Sequence, residues 1–195
     1  MSSSKYDTKI QLFAGKPVFS AVEARTAGIP SRMLSHFCKK GIIERVSRGV
    51  YKGSKANVNI AFQWEDLALA AMSIPNGVIC LTSALCYYRL TDQIMREFWI
   101  AIPHASKSPQ RQKTRIIRMR NIRLGQTEIR MGKDRLKIFD KERTVVDSFR
   151  YLGQEIAIKA LQTYLRQGRP NLNKLMKYAK LLRVNIHPFI LALTT

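Results

Sequence analysis

The residues best suited to chemistry lie between Ser31 and Arg48. Arg32, Ser35, His36, Lys39 and Lys40 fall on one side of a helical repeat and Met33, Leu34, Phe37 and Cys38 on the other. No acid interrupts the polar side. Arginine can pair with guanine, serine and histidine can reach base edges, and lysine can neutralise phosphate, so such a face suits the major groove of DNA. Arg45 and Arg48 follow in an alternating segment with a glycine turn at Gly49, where they would contact the phosphate backbone or the minor groove. A second set of residues could cut rather than bind. Glu128, Asp134, Asp140 and Glu142, with Lys137, are the types that hold Mg²⁺ and activate water. Caps and turns account for several of them, and no Gly-rich phosphate loop, nucleophile elbow or H-E-x-x-H pattern is present. The expectation is therefore a non-enzyme, with no catalytic residue, metal or cofactor, and a metal-dependent nuclease is the competing class.

The elements that must carry the first set are legible around it. Ser20 and Glu23 have the spacing of a capping box, opening a short helix that ends at Gly28. Ile29 plugs the corner, Pro30 or Ser31 opens the second helix, and Gly41 closes it. Ile42 to Val46 and Val50 to Lys52 then alternate around Ser47, Arg48 and Gly49 as a hairpin. Helix, turn, helix and basic hairpin make a winged helix-turn-helix, assigned to residues 1–55.

A polar stretch from Lys52 to Asn59 reads as a linker, and residues 62–195 as a second domain. Its expected elements are a helix from Trp64 to Met72 and a short strand from Val78 to Leu81. A helix capped by Thr82 or Ser83 comes next, then strands at Phe98–Ile102, Arg115–Arg120, Glu128–Met131 and Leu136–Phe139. A turn at Gly132-Lys133-Asp134 would join the last two strands. From Lys141 the pattern is helical, with apolar stripes through Ile156, Ala157, Ala160, Leu161, Tyr164 and Leu165 and through Leu172, Leu175, Met176, Ala179 and Leu182. The fold class expected is α+β: a winged helix followed by a mixed α/β domain with a small sheet and C-terminal helices.

Charge narrows the function. The chain of 195 residues has 34 Lys and Arg against 13 Asp and Glu, a net charge of +21. Self-repulsion on that scale points to a polyanionic partner. A membrane is the weaker candidate: no apolar stretch is long enough to span one, the first seven residues lack the core of a secretory signal, and no long amphipathic helix gathers the bases. Residues 1–62 carry eleven bases and three acids, and 63–195 carry twenty-three and ten, so both parts are basic. Lys113, Arg115, Arg118, Arg120 and Arg123 form a run with no acid, a second surface for phosphate or for RNA. That run lacks the aromatic residues that stack on single-stranded bases. Cys38, Cys80 and Cys86 lie apart among apolar neighbours, which reads as three buried free thiols in a reducing cytoplasm.

Two stretches together resemble a known family. PVFSAVEARTAGIPSRMLSHFCKKGIIERVSRGVYKG is similar to the winged helix of AbiEi-type antitoxins. LTSALCYYRLT (81–91), WIAIP (99–103) and KIFDKERTVVDSFRYL (137–152) resemble the C-terminal antitoxin domain of the same family, with its Asp-x-x-Arg-Thr-x-x-Asp pattern at Asp140, Arg143, Thr144 and Asp147. The resemblance implies the antitoxin of a type IV toxin–antitoxin, or abortive-infection, operon in a bacterium. The winged helix would repress its own promoter at inverted repeats of double-stranded DNA. The antitoxin would oppose a nucleotidyltransferase-like toxin without needing a stable complex with it. A solitary regulator, or an RNA-binding protein with no toxin, is the alternative. The residues themselves read more simply: Asp140 caps a helix, Glu142 complements its positive end, and Arg143 and Asp147 pair four apart.

Overall fold

The structure is a computed structural model that describes residues 5–56, 60–132 and 134–194. Part of the expected linker (57–59) and Lys133 of the expected hairpin turn lie outside the described residues. The chain forms two compact units. The first runs to Pro75 and takes in residues 110–112 and 130–134; the second holds the remainder.

The first unit opens with α1 (Lys5–Ala14), an element the sequence reading did not include. Ile10, Phe13 and Ala14 are its buried residues, at the i, i+3, i+4 spacing of an amphipathic helix. Next come β1 (Phe19–Ser20), α2 (Ala21–Thr26), α3 (Ser31–Lys39), β2 (Ile43–Ser47) and β3 (Val50–Gly53). Both halves of the capping box form: Ser20 Oγ accepts from the Glu23 amide at 3.0 Å, and the Glu23 carboxylate accepts from the Ser20 amide at 3.5 Å. Gly28 has φ +82°, the left-handed backbone that turns the chain from α2 to α3. Strands β1 and β2 flank β3 in an antiparallel sheet, with Arg45 opposite Tyr51 and an irregularity before Ser47 where the wing bends. Phe13, Phe19, Ile29, Leu34, Phe37 and Ile43 close one core. This is the architecture of a winged helix.

Helix α4 (Phe62–Met72) also belongs to the first unit and buries Leu67, Ala68, Leu69 and Ala71. Lys52 of β3 bonds Glu65 of α4 at 3.0 Å, so this wing lysine is engaged rather than free for DNA.

The second sheet has the order β6-β5-β4-β8-β7, from β4 (Val78–Ile79), β5 (Phe98–Pro103), β6 (Thr114–Met119), β7 (Gln126–Met131) and β8 (Asp134–Phe139). It is mixed: β4 pairs antiparallel with β5 and parallel with β8, and β5 pairs parallel with β6. Helices α5 (Leu81–Tyr87), α6 (Lys141–Tyr151), α7 (Gln154–Arg166), α8 (Leu172–Leu182) and α9 (His187–Thr194) complete the second unit. Leu85, Val145, Val146, Ala160, Leu161, Tyr164, Leu175 and Ala179 share one core there.

Several expectations need correction. The strand at Val78 stops at Ile79, and α5 starts at Leu81 with Cys80 as its cap residue, so neither Thr82 nor Ser83 is the cap. Ser83 has a tertiary task instead: its hydroxyl accepts from the Trp99 amide at 2.8 Å. Leu172 and Met176 are 39% and 36% exposed, because the buried stripe of α8 runs through Leu175, Tyr178, Ala179 and Leu182. Only Cys80 is buried; Cys38 and Cys86 are half-buried free thiols.

The glycine at the end of β3 has no room for a side chain. A Cβ on Gly53 would sit 2.2 Å from the Ala14 carbonyl oxygen of α1. Gly53→Ala is expected to destabilise the winged helix by about 1–3 kcal/mol through overpacking against backbone that cannot yield. Gly15→Ala, where nothing lies within 4 Å, should change little in the same urea titration.

Candidate nucleic-acid interface

Helix α3 divides as its residues demand. Leu34 and Phe37 are fully buried, Met33 and Cys38 half-buried, and Arg32, Ser35, His36, Lys39 and Lys40 are exposed. Ile29 and the Pro30 cap fix where the helix starts, and Gly41, at φ +68°, turns the chain into β2. Arg32, Ser35, His36 and Lys39 stand at i, i+3, i+4 and i+7, so one helical face carries them together. Lys40 is the C-cap residue at its end. Arg45 and Arg48 are exposed on β2 and the turn of the wing. His36 touches the ring of its neighbour Phe37, and none of these seven polar side chains has a hydrogen-bond or ion-pair partner among the described residues, which leaves them available to a ligand.

The basic run of the second unit does not form one surface. Side chains alternate along β6, so Arg115 and Arg118 leave opposite faces of an edge strand. Arg115 stacks over the Trp99 ring at 4.5 Å. Arg118 and Arg120 instead line a cavity with His104, Arg143, Arg150 and Arg183. Arg123 lines a neighbouring cleft, and Lys113 is exposed in a left-handed backbone conformation. Bases on an edge strand also discourage pairing with a second sheet, so part of this charge serves the fold.

The residues of the Asp-x-x-Arg-Thr-x-x-Asp pattern are structural in their contacts. Asp140 caps α6, accepting from the Arg143 amide at 2.8 Å, while its other oxygen meets Lys174 at 3.0 Å and the Tyr178 hydroxyl at 3.1 Å. Thr144 is buried and donates to the Phe139 carbonyl. Arg143 is wholly buried: Nε reaches Asp147 at 2.6 Å, Nη1 donates to the carbonyls of Asn121 and Leu124 at 2.9 Å each, and the guanidinium lies over the Phe139 ring. The second Asp147 oxygen accepts from Arg150 at 3.0 Å. Burial pushes the Asp147 carboxyl up, and the two guanidiniums offset part of that rise.

The carboxylates considered as nuclease candidates differ in their surroundings. Glu142 is half-buried, which would raise it, but the Tyr164 hydroxyl at 2.7 Å and Lys174 at 3.0 Å outweigh that and hold it below its ordinary value. Glu128 stands in the open, 3.7 Å from Arg135. Sequence reasoning missed Lys174, His104, Arg150 and Arg183 entirely. The neighbours of Lys174, His104 and Arg183 are assembled only by the tertiary fold.

Residues 10–51 match a family model described as transcriptional regulator, AbiEi antitoxin. The match runs from α1 to β3, so it covers the winged helix and agrees with the resemblance drawn from the sequence. No curated protein matches the chain. Among the described residues no helix is long and apolar enough to cross a membrane.

Two stability outcomes follow from the buried network. Arg143→Ala should cost about 3–5 kcal/mol in urea denaturation, because it leaves the buried Asp147 carboxylate with only one of its two cations and frees two inward-turned carbonyls. Arg143→Met combined with Asp147→Leu should recover most of that loss; no recovery would mean that the guanidinium's carbonyl contacts, not its charge pairing, hold the site. Glu142 has a depressed folded pKa, so its contribution is full above its unfolded value of 4.5 and lost as pH falls through the lower folded value. The stability gap between the wild type and Glu142→Gln should therefore be present at pH 7 and close in acid, read from denaturation midpoints across pH.

Proposed function

We propose that the protein is a DNA-binding transcriptional repressor and the antitoxin of a type IV toxin–antitoxin operon. The observation that carries the first half is the outward face of α3, all basic or polar, with Arg45 and Arg48 exposed on the adjoining wing. In this reading Arg32, Ser35, His36 and Lys39 read or bracket base edges, and Lys40, Arg45 and Arg48 hold the phosphate backbone. The match of residues 10–51 to an antitoxin-regulator family supports the second half. The operator would be inverted repeats in the protein's own promoter, bound in the cytoplasm, and the toxin would be opposed without a stable complex. The second unit acts by binding rather than by catalysis, a reading supported by the engagement of Asp140 and Glu142 with Lys174, Tyr164 and Tyr178.

A salt-titrated gel shift on the DNA upstream of the gene tests the repressor. Arg32→Ala should cost about 1–3 kcal/mol at the preferred sequence and little elsewhere. Lys40→Ala and Arg48→Ala should weaken binding to every sequence, each flattening the salt slope by about one unit. Specific binding unchanged in all three variants would overturn the groove assignment. Co-expression with a toxin gene adjoining this one should restore growth if the antitoxin half holds.

A further inference from the structure

One cavity in the second unit is unlike the rest of the surface. It holds about 570 Å³ and is lined by His104, Arg118, Arg120, Arg143, Arg150 and Arg183. These come from the end of β5, from β6 and its exit, from α6 and from the end of α8, so four guanidiniums converge over the buried one of Arg143. No carboxylate lines the cavity. Asp147 lies behind it, bonded to Arg143 and Arg150, and answers one of the charges. The side chains of Arg118, Arg120, Arg183 and His104 have no hydrogen-bond or ion-pair partner among the described residues.

A further observation points to a ligand. Arg143 backs the cavity from inside the protein, its guanidinium fully buried and held by Asp147, by the Asn121 and Leu124 carbonyls and by the Met119 thioether, so it contributes charge rather than contact. Arg183 ends α8 at φ +56°, a backbone conformation that favours glycine. The chain places a cation at that position where a glycine would close the helix without strain.

The apolar wall sets the size and shape of the occupant. Tyr151 and Leu181 line the same cavity while 37% and 52% exposed. The Arg150 guanidinium lies 5.0 Å from the centre of the Tyr151 ring, forming a flat platform beside the arginines. Small-molecule sites commonly span roughly 300–1,000 Å³, so a nucleotide fits this space. A bowl of arginines answered by one carboxylate exceeds what the single charge of a backbone phosphodiester needs, and matches a terminal phosphate or a polyphosphate.

We propose that this arginine-lined cavity of the second unit is a nucleotide site, taking a terminal phosphate among Arg118, Arg120 and Arg183 and the base on Tyr151 and Leu181. The occupant is a free nucleotide or the 5′-phosphorylated end of a nucleic-acid strand, which share this chemistry. The site is separate from the DNA-reading helix and stands or falls independently of the repressor reading.

Calorimetric titration of the full-length protein with ATP, AMP, adenosine and pyrophosphate tests it. ATP should bind at one site, more tightly than AMP, and adenosine should not bind. Arg118→Ala with Arg183→Ala should weaken ATP about tenfold or more, as expected when guanidinium–phosphate contacts are lost. Lys107→Ala with Lys5→Ala removes the same charge from exposed positions outside the cavity and should change affinity by no more than about twofold. A 5′-phosphorylated dinucleotide binding much more tightly than both its 5′-hydroxyl counterpart and AMP assigns the site to a strand end. AMP binding as tightly as that dinucleotide assigns it to the free nucleotide. No ATP binding at millimolar concentration, equal losses in the two double variants, or pyrophosphate binding as tightly as ATP in the wild type would overturn the proposal.

Discussion

Arg143 is the largest fully buried side chain among the described residues, and its charge has to be answered from inside the protein. Removing a guanidinium from water costs several kcal/mol even after relaxation. Here the answer comes from one carboxylate, two backbone carbonyls and the face of Phe139. The geometry this imposes is local and strict. The carbonyls of Asn121 and Leu124 must turn inward together, which fixes the path of the chain after β6. Gly125, at φ +69°, then passes so close to Arg143 that a Cβ there would stand 2.6 Å from the arginine's own.

From that centre a polar chain extends along the start of α6. Asp140 caps the helix and receives Lys174 and Tyr178 from α8; Glu142 receives Lys174 and, from α7, Tyr164. Tyr164 in turn accepts from the Asn171 amide, so one hydroxyl joins α6, α7 and the start of α8. Three helices that pack through aliphatic contacts are thereby held in one register. The position of Arg183 at the end of α8, and so the far wall of the arginine cavity, depends on that register.

What the sequence made legible was local. The capping box, the Gly28 turn and the split faces of α3 depend on residues within a few positions of one another, and spacing alone expresses them. The Arg143–Asp147 pair was legible for the same reason, being one helical turn apart. Burial of the pair was not, because it depends on carbonyls some twenty residues earlier in the chain. Helix α1 carried its signal in Ile10, Phe13 and Ala14, but with Leu12 apolar on the other side the stripe is weak evidence until the core it enters is known. The run from Lys113 to Arg123 misled in the opposite way. Read as a string it is one basic patch; folded as an edge strand it sends Arg115 to Trp99 and Arg118 into a cavity. Bases in sequence share a surface only when the backbone period agrees.

The same contacts explain how so positive a surface arises. The acids are few, and the fold consumes many of them: Glu23 in a cap and a contact with Lys16, Glu65 on Lys52, and Asp140, Glu142 and Asp147 in the network of α6. Most of these engage backbone amides, hydroxyls or cations that are themselves partly or wholly buried, so they neutralise little of the exposed charge. The outward face of α3 consequently keeps its positive field, and the wing and the arginine cavity keep most of theirs, with Glu65 answering Lys52 and Asp147 answering one cavity charge. Unpaired cations of this kind attract polyanions from a distance, within a screening length of roughly 8 Å at physiological salt, and the attraction weakens as salt rises. The charge that directs the protein to a phosphate is thus produced as much by where its carboxylates are spent as by where its arginines stand.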